Sequence, residues 1–152
     1  MPKVKFLVII QARCDSTRLP SKVLKDIEGK TSIEHMLERV SYSKEIDEVM
    51  VATTINREDI PIVNLVSGLG FRVFAGSSDD VLDRYYQAAK LIQPEYVIRL
   101  TADCPLFDWH VLDEAIVPFI IMVIGSIKPN MTFSIVPIDM SPFSNTTIKH
   151  PN

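Results

Sequence analysis

The chain has 152 residues, enough for one domain whose core needs no disulfide or metal staple. Apolar residues make up 47% and charged residues 23%, which excludes global disorder. A net charge of −3 argues against a general nucleic-acid binder, and two cysteines are too few for a disulfide framework.

The chain then alternates strand-like and helix-like segments. Lys5 to Ile10 (KFLVII) holds a continuous apolar run, the mark of a strand buried on both faces. The run is too short for a signal peptide. Thr31-Ser32-Ile33-Glu34 is a capping box, and Ile33, Met36, Leu37 and Val40 follow at helical spacing. Glu48 to Thr53 reads as a second strand. Asp59 is expected to cap a helix with Pro61 in its first turn, ending near Gly68 and Gly70. Phe71 to Ala75 is a third strand. Ser77 or Ser78 is expected to cap the next helix, with Val81, Tyr85, Ala88, Ala89 and Ile92 on one face. Tyr96 to Thr101 is a fourth strand, and Asp108 caps a helix carrying Val111, Leu112, Ala115 and Ile116.

Four successive β-α units predict an α/β fold, a mostly parallel sheet flanked by helices. Residues 1–118 form this domain and hold all but three of the charged residues. Residues 119–152 carry only Lys128, Asp139 and Lys149, with four of the ten prolines. They read as a divergent tail, the kind of end that truncation or a frameshift produces, with Thr132 to Val136 able to form one more strand. The apolar run Ala115 to Ile124 contains Pro118 and falls short of a ~20-residue membrane span. A cytoplasmic protein without membrane contact is expected.

In such folds ligands bind beyond the carboxyl ends of the strands, here loops 11–22, 54–58, 76–78 and 102–107. The first loop, Gln11 to Lys22, carries Arg13, Arg18 and Lys22 with Ser16 and Thr17. It has no glycine, so it matches neither a Walker loop nor GxGxxG. It is either a solvated turn or an anion site in which guanidinium groups grip phosphate oxygens and Lys22 adds a point charge. Asp103, directly after the fourth strand, is either a loop cap before Pro105 or a metal ligand. Arg99, inside an apolar strand, needs a structural partner or a ligand. Asp83 and Arg84 read as an exposed charge pair. Cys14 and Cys104 are expected to be reduced thiols, and His35, His110 and His150 lack metal-ligand spacing.

QARCDSTRLPSKVL at 11–24, VATTINRED at 51–59, VFAGSSDDVLDRYYQAAK at 73–90 and VIRLTADCPLFD at 97–108 stand in the order found in one family. The chain resembles the cytidylyltransferases that activate acidic sugars, including the CMP-sialic acid and CMP-KDO synthetases, and is most similar to their spore-coat polysaccharide branch. That resemblance, over about 3–118, implies a nucleotide-diphospho-sugar transferase fold of Rossmann-like type. It implies that Arg13, Ser16, Arg18 and Lys22 wrap the triphosphate of CTP. Thr53 and Thr54 would lie near the nucleoside, with Arg99 a further nucleotide contact. Ser78, Asp79 and Asp80 would stand near sugar or nucleotide, although a helix cap explains them equally. Asp103 would hold Mg²⁺, and Arg13, Lys22 and Asp103 would form the catalytic set. The partners implied are CTP, an acidic or modified sugar, and a second copy of the chain in a homo-oligomer. Asp15 and Ser21 depart from the family, which usually has glycine at both positions; Asp15 adds a negative charge that Arg13 or Arg18 must neutralise. The reaction implied is transfer of CMP from CTP to a sugar with release of pyrophosphate. Two alternatives stand beside it: a glycosyltransferase using nucleotide sugars, disfavoured because Cys104-Pro105 replaces the rest of an Asp-x-Asp motif, and a non-catalytic nucleotide-binding fragment.

Overall fold

The computed structural model describes residues 3–122 and 134–137. The sheet is built on β1 (Phe6–Gln11), whose apolar run is buried on both faces as its composition demands. A 3-10 turn at Lys22–Leu24 and a small antiparallel ribbon, β2 (Asp26–Ile27) with β3 (Lys30–Thr31), lead into α1 (Ser32–Ser41). The chain continues through β4 (Glu48–Thr54), α2 (Ile60–Gly68), β5 (Arg72–Gly76), α3 (Val81–Ile92), β6 (Tyr96–Thr101), α4 (Trp109–Met122) and β7 (Ser134–Pro137).

The larger sheet has the order β5-β4-β1-β6-β7. β1 pairs in parallel with β4 (Leu7 opposite Glu48) and with β6 (Phe6 opposite Tyr96), and β4 pairs in parallel with β5 (Met50 opposite Arg72). β7 is antiparallel to β6 and stands where one further strand was expected. The rest of the tail expectation lies outside the described residues. The chain steps outward from β1 to β4 to β5, then crosses back to β6 on the other side of β1. The strand order therefore reverses between β1 and β6, and a crevice opens there.

Strand alternation divides the core into two layers. Val8, Ile10, Val51, Ile98 and Leu100 face α1, α2 and α4 through Ile33, Met36, Leu37, Ile62, Val66, Leu112 and Ile116. Leu7, Ile9, Met50, Ala52 and Val97 face α3 through Tyr85, Ala88 and Ala89. Each such aliphatic side chain contributes ~1.5–3 kcal/mol when removed from water.

The caps are as read at two helices and different at two. In α1 the Thr31 N–H donates to Glu34 Oε2 at 2.6 Å while Glu34 N–H donates to Thr31 Oγ1 at 3.3 Å. The bonds from Thr31 hold the Glu34 carboxyl below its usual range. Asp108 accepts from the His110 N–H at 3.0 Å at the start of α4. The cap of α3 is Asp80, which accepts from the Asp83 N–H at 2.8 Å, rather than Ser77 or Ser78. Ser77 instead accepts from the Asp80 N–H at 3.0 Å, one turn earlier. Asp59 occupies the cap position of α2 but its carboxylate makes no cap bond, because it is turned toward a different segment.

Candidate functional site

A cleft of about 570 Å³ opens at the β1–β6 switch point. Its walls are the loop after β1, from Gln11 to Val23, and the loop after β6, from Thr101 to Asp103. Arg13, Ser16, Arg18, Lys22 and Asp103, drawn from positions up to 90 residues apart, all line it. Parallel pairing of Gln11 with Thr101 brings the two loops side by side.

Four of the charges in the cleft form two pairs. Arg13 Nε lies 3.0 Å from Asp15 Oδ1, so the carboxylate expected to stand beside a phosphate is neutralised by its neighbour. Lys22 Nζ contacts Asp103 Oδ1 across the cleft mouth. The side chains of these four residues are 38–56% exposed, so the pairs contribute little to stability and their groups can turn to a ligand at small cost. Ser21 supports the turn with φ 53, the left-handed region that favours glycine. The glycine that the resemblance leads one to expect here would adopt this conformation freely, and Ser21 adopts it despite its Cβ.

The other candidates lie behind or beside the cleft. Thr53 is fully buried and its hydroxyl has no partner among the described residues. Thr54 is also buried, and its hydroxyl donates to Asp59 Oδ2. The Arg99 guanidinium lies over the Tyr85 ring at 4.3 Å from the centroid, a cation–π contact. It therefore has a structural partner, although its Nε is buried without a hydrogen bond. Tyr85 in turn donates to the Leu100 carbonyl at 3.2 Å, and burial pushes its hydroxyl pKa up. Ser78 donates to Asp79 Oδ1 at 3.3 Å in the turn before α3.

Arg84 corrects the sequence reading most sharply. It is fully buried, not exposed. Its Nε donates to the Ser77 carbonyl at 2.8 Å and its Nη2 to the Ser78 carbonyl at 3.3 Å, so it holds the turn that leads into α3. Gly76 makes room for it: a Cβ there would lie 3.2 Å from Arg84 Cγ and 2.6 Å from the Phe74 ring. Burial, then the neighbouring Arg13 charge, lower the Arg84 pKa. The signal was present in the sequence, since Arg84 falls three residues after Val81 and four before Ala88, on the helix face that packs inward. Both cysteines are free, Cys14 buried and Cys104 exposed.

The likeness to known proteins covers this same region. A family model described as cytidylyltransferase matches residues 7–118. The spore coat polysaccharide biosynthesis protein SpsF of Bacillus subtilis is 39% identical over 115 residues, which are 73% of this chain and 48% of that protein. A solved cytidylyltransferase of Leptospira borgpetersenii is 38% identical with a TM-score of 0.74, over 78% of this chain and 50% of the other. The structure of CMP:2-keto-3-deoxy-manno-octonic acid synthetase complexed with CTP is 27% identical with a TM-score of 0.67, over 78% of this chain and 48% of the other. The chain spans about half the length of the curated relatives it matches. With the family model covering most of the sequence and its parallel sheet, switch-point cleft and basic loop all inside the matched segment, the chain belongs to the cytidylyltransferase family.

Proposed function

We propose that the chain carries the nucleotide site of a CTP-dependent cytidylyltransferase that forms a CMP-sugar in surface or spore-coat polysaccharide biosynthesis. The observation that carries this reading is the gathering of Arg13, Arg18, Lys22 and Asp103 around one cleft at the strand-order reversal. A sugar hydroxyl attacks the α-phosphate of CTP, the bond to the β-phosphate breaks, and pyrophosphate leaves. The sugar proton passes to solvent or to a base. Positioning and charge stabilisation are the protein's share of the work.

Arg13 and Arg18 grip phosphate oxygens bidentately, with the Ser16 hydroxyl as a further donor. Lys22 turns from Asp103 to the leaving pyrophosphate. Among the described residues no group of three or more His, Cys, Asp and Glu side chains could hold a metal. The exposed carboxylate of Asp103, once released by Lys22, would hold a Mg²⁺ brought in with the triphosphate, since such an ion needs only one or two carboxylates from the protein. When bound, that ion supplies charge neutralisation and polarisation at the α-phosphate. On this reading the nucleoside lies toward the ends of β4 and β5, beside Ser78 to Asp80 and in front of the buried Thr53 and Thr54, a reading that the resemblance supports. An acidic or modified sugar is the acceptor on the same ground.

Calorimetry with CTP, ATP and GTP in the presence of Mg²⁺ tests the nucleotide assignment, with CTP expected to bind most tightly. Equal affinities for the three would leave a phosphate site and remove the cytidine one. Release of pyrophosphate from CTP with candidate acidic sugars tests the transfer.

A further inference from the structure

Asp59 is 2% exposed and is the acceptor of three hydrogen bonds. Its Oδ1 accepts from the Cys14 N–H at 2.7 Å. Its Oδ2 accepts from the Thr54 N–H at 3.2 Å and from the Thr54 hydroxyl. A carboxylate buried to this degree is tolerated because its oxygens are filled by donors. Two of those donors belong to the last residue of β4, and the third belongs to the loop after β1, 45 residues away in sequence.

The Cys14 peptide is held from both ends. Its N–H goes to Asp59 and its carbonyl accepts from the Ser21 N–H at 2.9 Å. Arg13 and Asp15 flank that peptide, and Lys22 directly follows Ser21. At the loop's start the Ala12 N–H donates to the Ala52 carbonyl at 3.1 Å and the Gln11 carbonyl accepts from the Ala102 N–H at 2.9 Å, bonds that merely continue the β1–β4 and β1–β6 ladders. Beyond those ladders, Asp59 ties the loop's path to β4. Asp59 does not line the cleft.

We infer that Asp59 is a positioning residue: it straps the loop that carries Arg13, Arg18 and Lys22 to the end of β4, and so presets the phosphate grip without touching the ligand. This rests on the reading of that loop as a triphosphate site. Asp59→Asn keeps an acceptor for Cys14 but sets an NH₂ group against the Thr54 N–H, so the strap is broken on one side.

The test compares the wild-type chain, Asp59→Asn and Ile62→Val, the last a buried α2 substitution that lowers stability without altering the strap. Inorganic pyrophosphate with Mg²⁺ is the probe, read by calorimetry, and amide hydrogen exchange of residues 12–22 is read on the ligand-free proteins. Asp59→Asn is expected to weaken pyrophosphate binding about tenfold or more and to speed exchange in the loop beyond its effect on β1. Ile62→Val is expected to do neither. If Asp59→Asn fails to fold, Thr54→Val, which removes one donor from the carboxylate, takes its place with a smaller expected change in both readouts. Loop exchange that is unchanged, or raised only as much as in Ile62→Val, overturns the strap. Wild-type protein that fails to bind pyrophosphate overturns the phosphate reading, and the exchange measurement still decides whether Asp59 holds the loop.

Discussion

Two sets of charges stand at the carboxyl ends of the strands, and they behave in opposite ways. In the cleft, Arg13, Asp15, Lys22 and Asp103 are half exposed and paired with one another. Behind it, Asp59 and Arg84 are buried, and their partners are mostly backbone groups. The exposed set is cheap to rearrange, since water screens each pair. The buried set is not, because a group removed from water has no substitute for the partner it loses. On the reading proposed above, the side chains offered to a ligand are carried on loops whose shape is held by side chains that do not line the cleft.

The contrast is broken most directly at Arg84. Arg84→Ala removes a buried stem and leaves the Ser77 and Ser78 carbonyls without their donor. We expect a loss of about 3 kcal/mol of stability in urea unfolding. A loss below about 1 kcal/mol would mean that water or another side chain replaces the guanidinium. On the exposed side, Arg18→Ala should weaken CTP binding by about 1.5–3 kcal/mol while leaving the melting temperature nearly unchanged. A variant that melts early yet binds CTP normally would place Arg18 with the structural set.

The two thiols sharpen the same division. Burial pushes the Cys14 pKa up, so less of it is thiolate at any given pH. Cys104 is exposed. At about pH 8, iodoacetamide should alkylate Cys104 at least ~10-fold faster than Cys14, as peptide mass spectrometry would read it. The sign for stability follows: protonated Cys14 favours the fold below the unfolded thiol's pKa, and that contribution is lost as pH rises through the raised folded value. The smallest effect is expected at Ser21. Ser21→Gly should stabilise the chain by ~0.5–1 kcal/mol by relieving the left-handed backbone, with CTP affinity unchanged. A destabilised Ser21→Gly would show that the serine hydroxyl matters more than the backbone strain.

Apolar spacing and cap residues were enough to place β1, α1, β4, α2, β5 and β6 within a residue or two, because those signals depend on near neighbours; α3 begins two or three residues later than a cap at Ser78 or Ser77 would set it. The cleft's composition was also readable, since Arg13, Ser16, Arg18, Lys22 and Asp103 sit in the two loops that a reversal of strand order brings together. Arg84 was readable in principle from helical periodicity, but an arginine is rarely fully buried, so its charge points to the surface while its position points inward. Asp59 was not readable. Its sequence context, an acid one residue before Ile60-Pro61, is that of a helix cap, and no local feature reports that the loop peptide at Cys14 lies against it.

The sequence by itself determined the alternation of strands and helices, the two-faced core and the family, because periodicity and motif order are written along the chain. Only the tertiary structure decided which charges face the cleft and which hold it up. That choice depends on crossings over 45 and 81 residues that set Cys14 against Asp59 and Lys22 against Asp103, and a contact between distant segments leaves no trace in the spacing of either one.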